Sequence, residues 1–265
     1  MIDIGVNLTN SRFDKDRTLV IERAKSAGVH GLLVTGTSVE ESQKALALCQ
    51  QYPSSLACTV GVHPHDADNV SDDYIEQLRA LSHSSLVKAI GECGLDFNRN
   101  FSTPVNQQRV FQQQVDLAKE LHLPLFLHQR DAFDAWLDIL TPVIGKVPAL
   151  VAHCFTGNLT ELRACLAHDM YIGITGWICD ERRGHTLREI VRHIPLERLM
   201  IETDAPYLTP RTIRPKPKSS RNEPSYLPYV VQTIAEQMKC SVEQVIQHTS
   251  QNSASVFAMQ LKTDS

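Results

Sequence analysis

Short apolar runs alternate with amphipathic stretches along the chain, and the alternation repeats eight times. Apolar runs cover residues 2–8, 32–34, 56–62, 86–90, 125–128, 150–153, 170–174 and 199–204. Each is too short for a helix and is followed by a stretch with helical spacing, so each reads as a buried strand. The first helix, over residues 14–27, carries Leu19, Val20, Ala24 and Ala27 and stops at Gly28. Ser38 and Glu41 form a capping-box pattern, Asn158 and Glu161 cap another helix, and Thr103-Pro104 is an N-cap followed by proline at the first helical position. Ser71 opens a helix with the stripe Ile75, Leu78, Leu81. The C-terminal part adds helices over 227–238 and 241–248 and a last turn to Phe257. Eight strands alternating with helices predict a single (β/α)8 TIM barrel spanning residues 1–265 as one domain. An open doubly wound sheet is the alternative layout. It is weakened because polar residues close nearly every strand at its C-terminal end, where a barrel builds its site.

Composition changes this picture little. The 265 residues are 42% hydrophobic and 21% charged with a net charge of −4, which suits a sizeable core and demands no polyanionic partner. Any nucleic-acid contact must come from a local basic patch. Seven cysteines without a CxxC pair read as scattered thiols in a reducing compartment. The N-terminus lacks the features of a signal peptide, and no apolar run approaches membrane-spanning length, so the expected location is cytoplasmic.

The chemistry gathers at the strand ends. Ala89-Ile90-Gly91-Glu92 carries an apolar run into a carboxylate, the runs at 125–128 and 150–153 end in His128 and His153, and the last ends in Asp204. A buried carboxylate is costly unless a cation or hydrogen bonds meet it. Mixed carboxylate and imidazole donors suit Zn²⁺, Mn²⁺ or Fe²⁺. Such an ion acidifies water and stabilises charge building on an electrophile. Asp204 is placed to take or orient the water's proton. Singly, each histidine reads better as a hydrogen-bonded core residue; four such residues at equivalent positions favour the metal. Glu202, two residues before Asp204, lies one layer deeper and reads as structural.

Several stretches carry a resemblance that covers nearly the whole chain. They are Gly61-Val62-His63-Pro64-His65, Gly91-Glu92-Cys93-Gly94-Leu95-Asp96, the segment from Pro124 through His128 to Asp131, His153-Cys154-Phe155-Thr156-Gly157, Glu202-Thr203-Asp204-Ala205-Pro206 and Arg221-Asn222-Glu223-Pro224. Together they resemble the motifs of the TatD-type metal-dependent deoxyribonucleases. The resemblance implies a barrel nuclease that removes nucleotides from the 3′ end of single-stranded DNA or RNA, with a link to DNA repair. It implies metal ligands at Glu92, His128 and His153, with Asp204 as a further catalytic or metal-binding carboxylate. The ion it implies is Mg²⁺, whereas two imidazoles leave Mn²⁺ or Zn²⁺ open. Most members begin Asp-x-His-x-His; here Asp3-Ile4-Gly5-Val6-Asn7 places Gly5 and Asn7 where those histidines stand. One firmly held ion is therefore expected, with any second one weak and completed by Asp204.

Around the metal, His63 is expected to contact the scissile phosphate and His65 to support it. Arg130 offers a planar fork for phosphate, with a salt bridge to Asp131 as the plainer reading. Arg211, Arg214, Lys216, Lys218 and Arg221 form an acid-free basic loop after the last strand, expected to hold the nucleic-acid backbone unless it is a solvated loop. Trp177 and Tyr207 are candidates for base stacking, and Arg182 and Arg183 are weaker phosphate candidates. The chain thus reads as a monomeric metal-dependent 3′→5′ exonuclease. The rivals are a barrel amidohydrolase or lactonase with similar ligands, and a non-catalytic nucleic-acid-binding relative.

Overall fold

A computed structural model describes residues 1–260. Eight parallel strands follow one another around a sheet in chain order: β1 Ile2–Val6, β2 Gly31–Val34, β3 Leu56–Val60, β4 Val87–Asp96, β5 Leu125–Arg130, β6 Leu150–Ala152, β7 Tyr171–Ile174 and β8 Leu199–Ile201. The sheet curls until its edges meet. Val6 bridges Ala205 in parallel, Asn7 N–H donates to the Ala205 carbonyl at 2.8 Å, and Asp204 N–H donates to the Gly5 carbonyl at 2.8 Å. The result is a nearly closed α/β TIM barrel. Around it lie α1 Arg17–Ser26, α2 Val39–Gln51, α3 Tyr74–Leu81, α4 Pro104–Leu121, α5 Phe133–Leu140, α6 Leu159–Ala167, α7 His185–Ile190, α8 Leu227–Met238 and α9 Val242–Phe257.

Strand alternation divides the apolar residues into two sets. Ile2, Ile4, Leu33, Ala57, Ala89, Phe126, Val151 and Met200 point inward and fill the barrel, with Phe257 from α9 packed against them. The other set, including Val34, Ile90, Leu125, Leu127 and Ile201, points outward and buries against the helices.

β1, β3, β6, β7 and β8 are each shorter than the runs that predict them. β3 stops at Val60 because Pro64 offers no N–H and opens a 3-10 turn over Pro64–Asn69. β8 stops at Ile201 because Thr203 leaves the ladder, giving its N–H to Asp3 Oδ1 at 2.9 Å. Asp204 therefore lies beyond β8 rather than on it. The capping pattern at Ser38 is half formed. Ser38 Oγ accepts from Glu41 N–H, but the Glu41 carboxylate accepts from Thr9 and Lys44 instead. Thr103 makes no cap because its hydroxyl donates to Asp68. Asn158–Glu161 does form the reciprocal box, and Ser241–Gln244 forms a second. The helix expected over 241–248 and the last turn to Phe257 are one continuous helix, α9.

Candidate active site

β4 decides the geometry of the site. Ala89 points into the barrel and Ile90 outward, so strict alternation would turn Glu92 toward the helices. The pairing of β4 with β5 slips between Ile90 and Cys93, and beyond the slip Cys93 and Leu95 are the outward residues. Glu92 and Asp96 consequently face the mouth. Gly91 and Gly94 make this possible, at φ +144° and +149°, with their Cα atoms packed against the Phe126 and His128 carbonyls where a Cβ would collide.

Glu92 Oε1 is the centre of the constellation. It lies 3.0 Å from His128 Nδ1, 2.9 Å from His153 Nε2 and 3.4 Å from His63 Nε2. His128 lies within β5 and His153 one residue past β6. On its far side His153 Nδ1 donates to Glu202 Oε2 at 2.9 Å, and Glu202 Oε1 accepts from Cys154 N–H. Glu202, fully buried, is thus paired to a neighbour. His128 Nε2 is buried without a hydrogen-bond partner and faces Asp96 Oδ2 at 3.6 Å. Asp96 also accepts from His65 Nε2 at 2.7 Å, so His65 supports the site from behind.

Charge explains why these residues converge. Burial disfavours the Glu92 carboxylate, but His153, His63 and His128 outweigh it and hold its pKa well below the ordinary range. Burial likewise opposes charge on His153, yet Glu202 and Glu92 raise its pKa well above that of a free imidazole. A proton on His153 therefore sits where two carboxylates call for a cation. Separations near 3.0 Å between donor atoms are also the edges of a coordination shell with bonds of about 2.1 Å. Glu92, His128 and His63 each offer a donor atom within 4.8 Å of the others, close enough for a carboxylate and two imidazoles to share a divalent ion, and His153, bonded to Glu92 Oε1, is fixed on its other side by Glu202.

His63 belongs to the same cluster: one of its ring nitrogens lies within 4.8 Å of donor atoms of Glu92 and His128. Its Nδ1 accepts from His65 N–H at 3.1 Å, which turns Nε2 toward Glu92. His63 is a donor toward Glu92 and the cleft. Asp204 enters from the seam between β8 and β1, with backbone φ +54°. Asn7 Nδ2 donates to its Oδ1 at 3.0 Å, and burial, helped by Glu92 and Glu202, raises its pKa to about 7.

These residues floor a cleft of about 1630 Å³, larger than the usual small-molecule pocket. Trp177, Tyr207 and Arg130 line it, as do Arg17, Lys44, Arg99 and Arg183, whereas Arg182 does not. None of the five basic-loop residues lines it. Arg221 is bound to Asp16 at 2.7 Å and stacks over Phe13, Arg214 bonds nearby carbonyls, and Arg211 approaches Asp180. Arg17, Lys44 and Arg183 are paired with acids. Among the described residues, Arg99 and Arg130 are the cleft arginines without an ion pair, and Asp131 bonds Asn98 instead.

The motifs, the barrel and this site meet in one family, whose model, TatD related DNase, matches residues 2–258. The chain belongs to the TatD-related DNase family. It is 54% identical over 259 residues to the 3′-5′ ssDNA/RNA exonuclease TatD of Pectobacterium parmentieri, covering 98% of this chain and all of that one. Among solved structures, the TatD homolog YJJV of Escherichia coli superposes with a TM-score of 0.89 at 28% identity, covering 98% of both chains. The E. coli phosphotriesterase homology protein shares the fold alone, with a TM-score of 0.66, 13% identity and 96% coverage of each chain. Members of the TatD family are thus the frame in which Asp96, Asn7 and Glu202 are read. Sequence reasoning assigned none of the three a role at the metal. Asp96 was findable from its spacing: alternation from Glu92 puts it on the same face.

Proposed function

We propose that this protein is a divalent-metal-dependent 3′→5′ exonuclease acting on single-stranded DNA and RNA. The observation that carries the reading is the Glu92–His128–His153 constellation, with Glu92 and His153 buried and His128 half-buried, at the floor of a wide cleft whose unpaired arginines, among the described residues, are Arg99 and Arg130. The relative named above is described as such an exonuclease. Glu92, His128 and His153 would hold the ion, which supplies Lewis acidity toward water and the phosphoryl group. Asp204, with a pKa near neutrality and one oxygen held by Asn7, takes and returns the proton of the attacking water. His63 presents an N–H from Nε2 to a phosphate oxygen, and Arg130 clamps the phosphate. Mg²⁺ is the ion of choice, with Mn²⁺ able to replace it at a site with two imidazoles. A barrel amidohydrolase would use similar donors, but a cleft this wide with two unpaired arginines suits a polyanion better than an amide.

Degradation of a 5′-labelled single-stranded oligonucleotide with Mg²⁺, Mn²⁺ or EDTA tests the reading. The wild type should give a metal-dependent ladder shortening from the 3′ end, and Glu92→Ala should abolish it while remaining folded. Absence of cleavage with every ion, or unchanged cleavage by Glu92→Ala, would overturn it.

A further inference from the structure

Phe101 is more exposed than Tyr207, with 64% of its surface in water against 49%, and it lies in the wall of the catalytic cleft. Leaving a phenylalanine so exposed forfeits most of what its burial would contribute. The loop that carries it is not loose. Asp96 Oδ1 accepts from the N–H groups of Asn98 and Arg99 at 3.0 and 2.8 Å. Asn100, at φ +48°, donates its side-chain amide to the Phe97 carbonyl at 2.7 Å. On the other flank Ser102 is buried, donates to the His65 carbonyl at 2.7 Å and accepts from Asp68 N–H at 3.0 Å. The chain is pinned immediately before and after Phe101, and the ring is held outward between the two anchors. Its edge contact is His65, with ring centroids 4.7 Å apart, and His65 in turn stands 6.4 Å from His128. One of its faces has Arg99 at 6.0 Å.

We propose that Phe101 is a stacking platform for one of the last nucleobases of the 3′ end, with Arg99 and Arg130 holding the phosphates on either side. This rests on the exonuclease reading. A flat apolar ring beside the Arg99 guanidinium, in a cleft that Arg130 also lines, matches the alternation of base and phosphate along an unpaired strand. A base inside a duplex has both faces covered by its stacked neighbours, whereas an unpaired base can turn one face onto the ring. Phe101 touches the base and not the reacting atoms; it positions the strand.

The test uses three-way comparison of KM and kcat on strands identical in backbone but carrying an abasic residue at the last, second-last or third-last position. Phe101→Ala should raise KM about tenfold on the fully base-bearing strand with kcat nearly unchanged. For one abasic position the wild-type and Phe101→Ala values should coincide, because the removed ring and the removed base are partners. Phe101→Trp should keep the wild-type KM, and Phe101→Leu should behave like Phe101→Ala. A penalty that persists at all three abasic positions, no penalty at all, or full function in Phe101→Leu would overturn the platform while leaving the nuclease intact. A wild type inert on every strand would overturn the exonuclease reading and the platform together.

Discussion

At the scale of single residues, the two departures from the family's N-terminal motif follow from their neighbours. A Cβ on Gly5 would run into Glu202 Oε2, the oxygen that accepts from His153. Position 5 cannot carry an imidazole while Glu202 supports a ligand from that side. Asn7, in turn, gives its amide to Asp204. The first histidine is traded for a buried carboxylate that orients His153, the second for an amide that orients the proton carrier. Gly5→Ala, which removes no functional group, should therefore displace Glu202 and weaken Mn²⁺ binding roughly 10- to 100-fold, as loss of an outer-shell partner does. Titration calorimetry checks this, and unchanged affinity would show that Glu202 has room to give. That Glu92, His128 and His153 meet is legible in the sequence, because a charged side chain closing an apolar run is costly to bury unless a partner of opposite charge meets it. Phe101 is not legible: a phenylalanine in a loop reads as core until its exposure is seen.

Among the elements, β4 shows where sequence patterning stops. Its apolar run locates the strand, but the slip that turns Glu92 inward depends on pairing with β5, which no spacing within β4 reveals. The glycines are the only trace. Gly94→Ala should destabilise the protein by about 3 kcal/mol or more, since the backbone is at φ +149° and the new methyl meets the His128 carbonyl. Urea unfolding measures it; a loss under about 1 kcal/mol would mean that the two strands can part without cost. The seam misled for a similar reason. The apolar run through residue 204 continues the pattern of β8, yet the Asp3 carboxylate captures both the N–H and the hydroxyl of Thr203 and ends the ladder there. β8 is short because a side chain competes with the backbone.

Across the whole molecule, the basic loop serves the barrel's outside rather than its mouth. Asp16, just before α1, binds Arg221 through both oxygens and Arg23 as well, and Arg23 also binds Glu223. The hydrogen bond from Arg221 holds the Asp16 pKa down to about 2, from an ordinary 3.8. A carboxylate depressed on folding stabilises the folded state fully above its unfolded value and loses that contribution as pH falls toward the folded value. Asp16→Asn should thus cost on the order of 1 kcal/mol at pH 7, allowing for solvent screening. The difference from wild type should shrink between about pH 4 and pH 2. Denaturant midpoints of the two proteins across that range check the sign, and a gap constant with pH would remove the ion pair as its cause. A run of cations in sequence points toward an anion; only the fold shows that for Arg221 the anion is Asp16 and for Arg211 it is Asp180.

The order in which a ribosome delivers this chain gives Phe257 a consequence of its own. Ile2 and Ile4 line the barrel's centre and emerge about 250 residues before the ring that packs into the same cluster from α9. Seven strands can have left the exit tunnel, and the eighth can have joined, with the interior still open to water at that place. Until α9 docks, the nascent barrel is a cup with an apolar lining, the kind of surface that chaperones hold and that sticks to its neighbours. Translation has to pass residue 257 before that lining is covered.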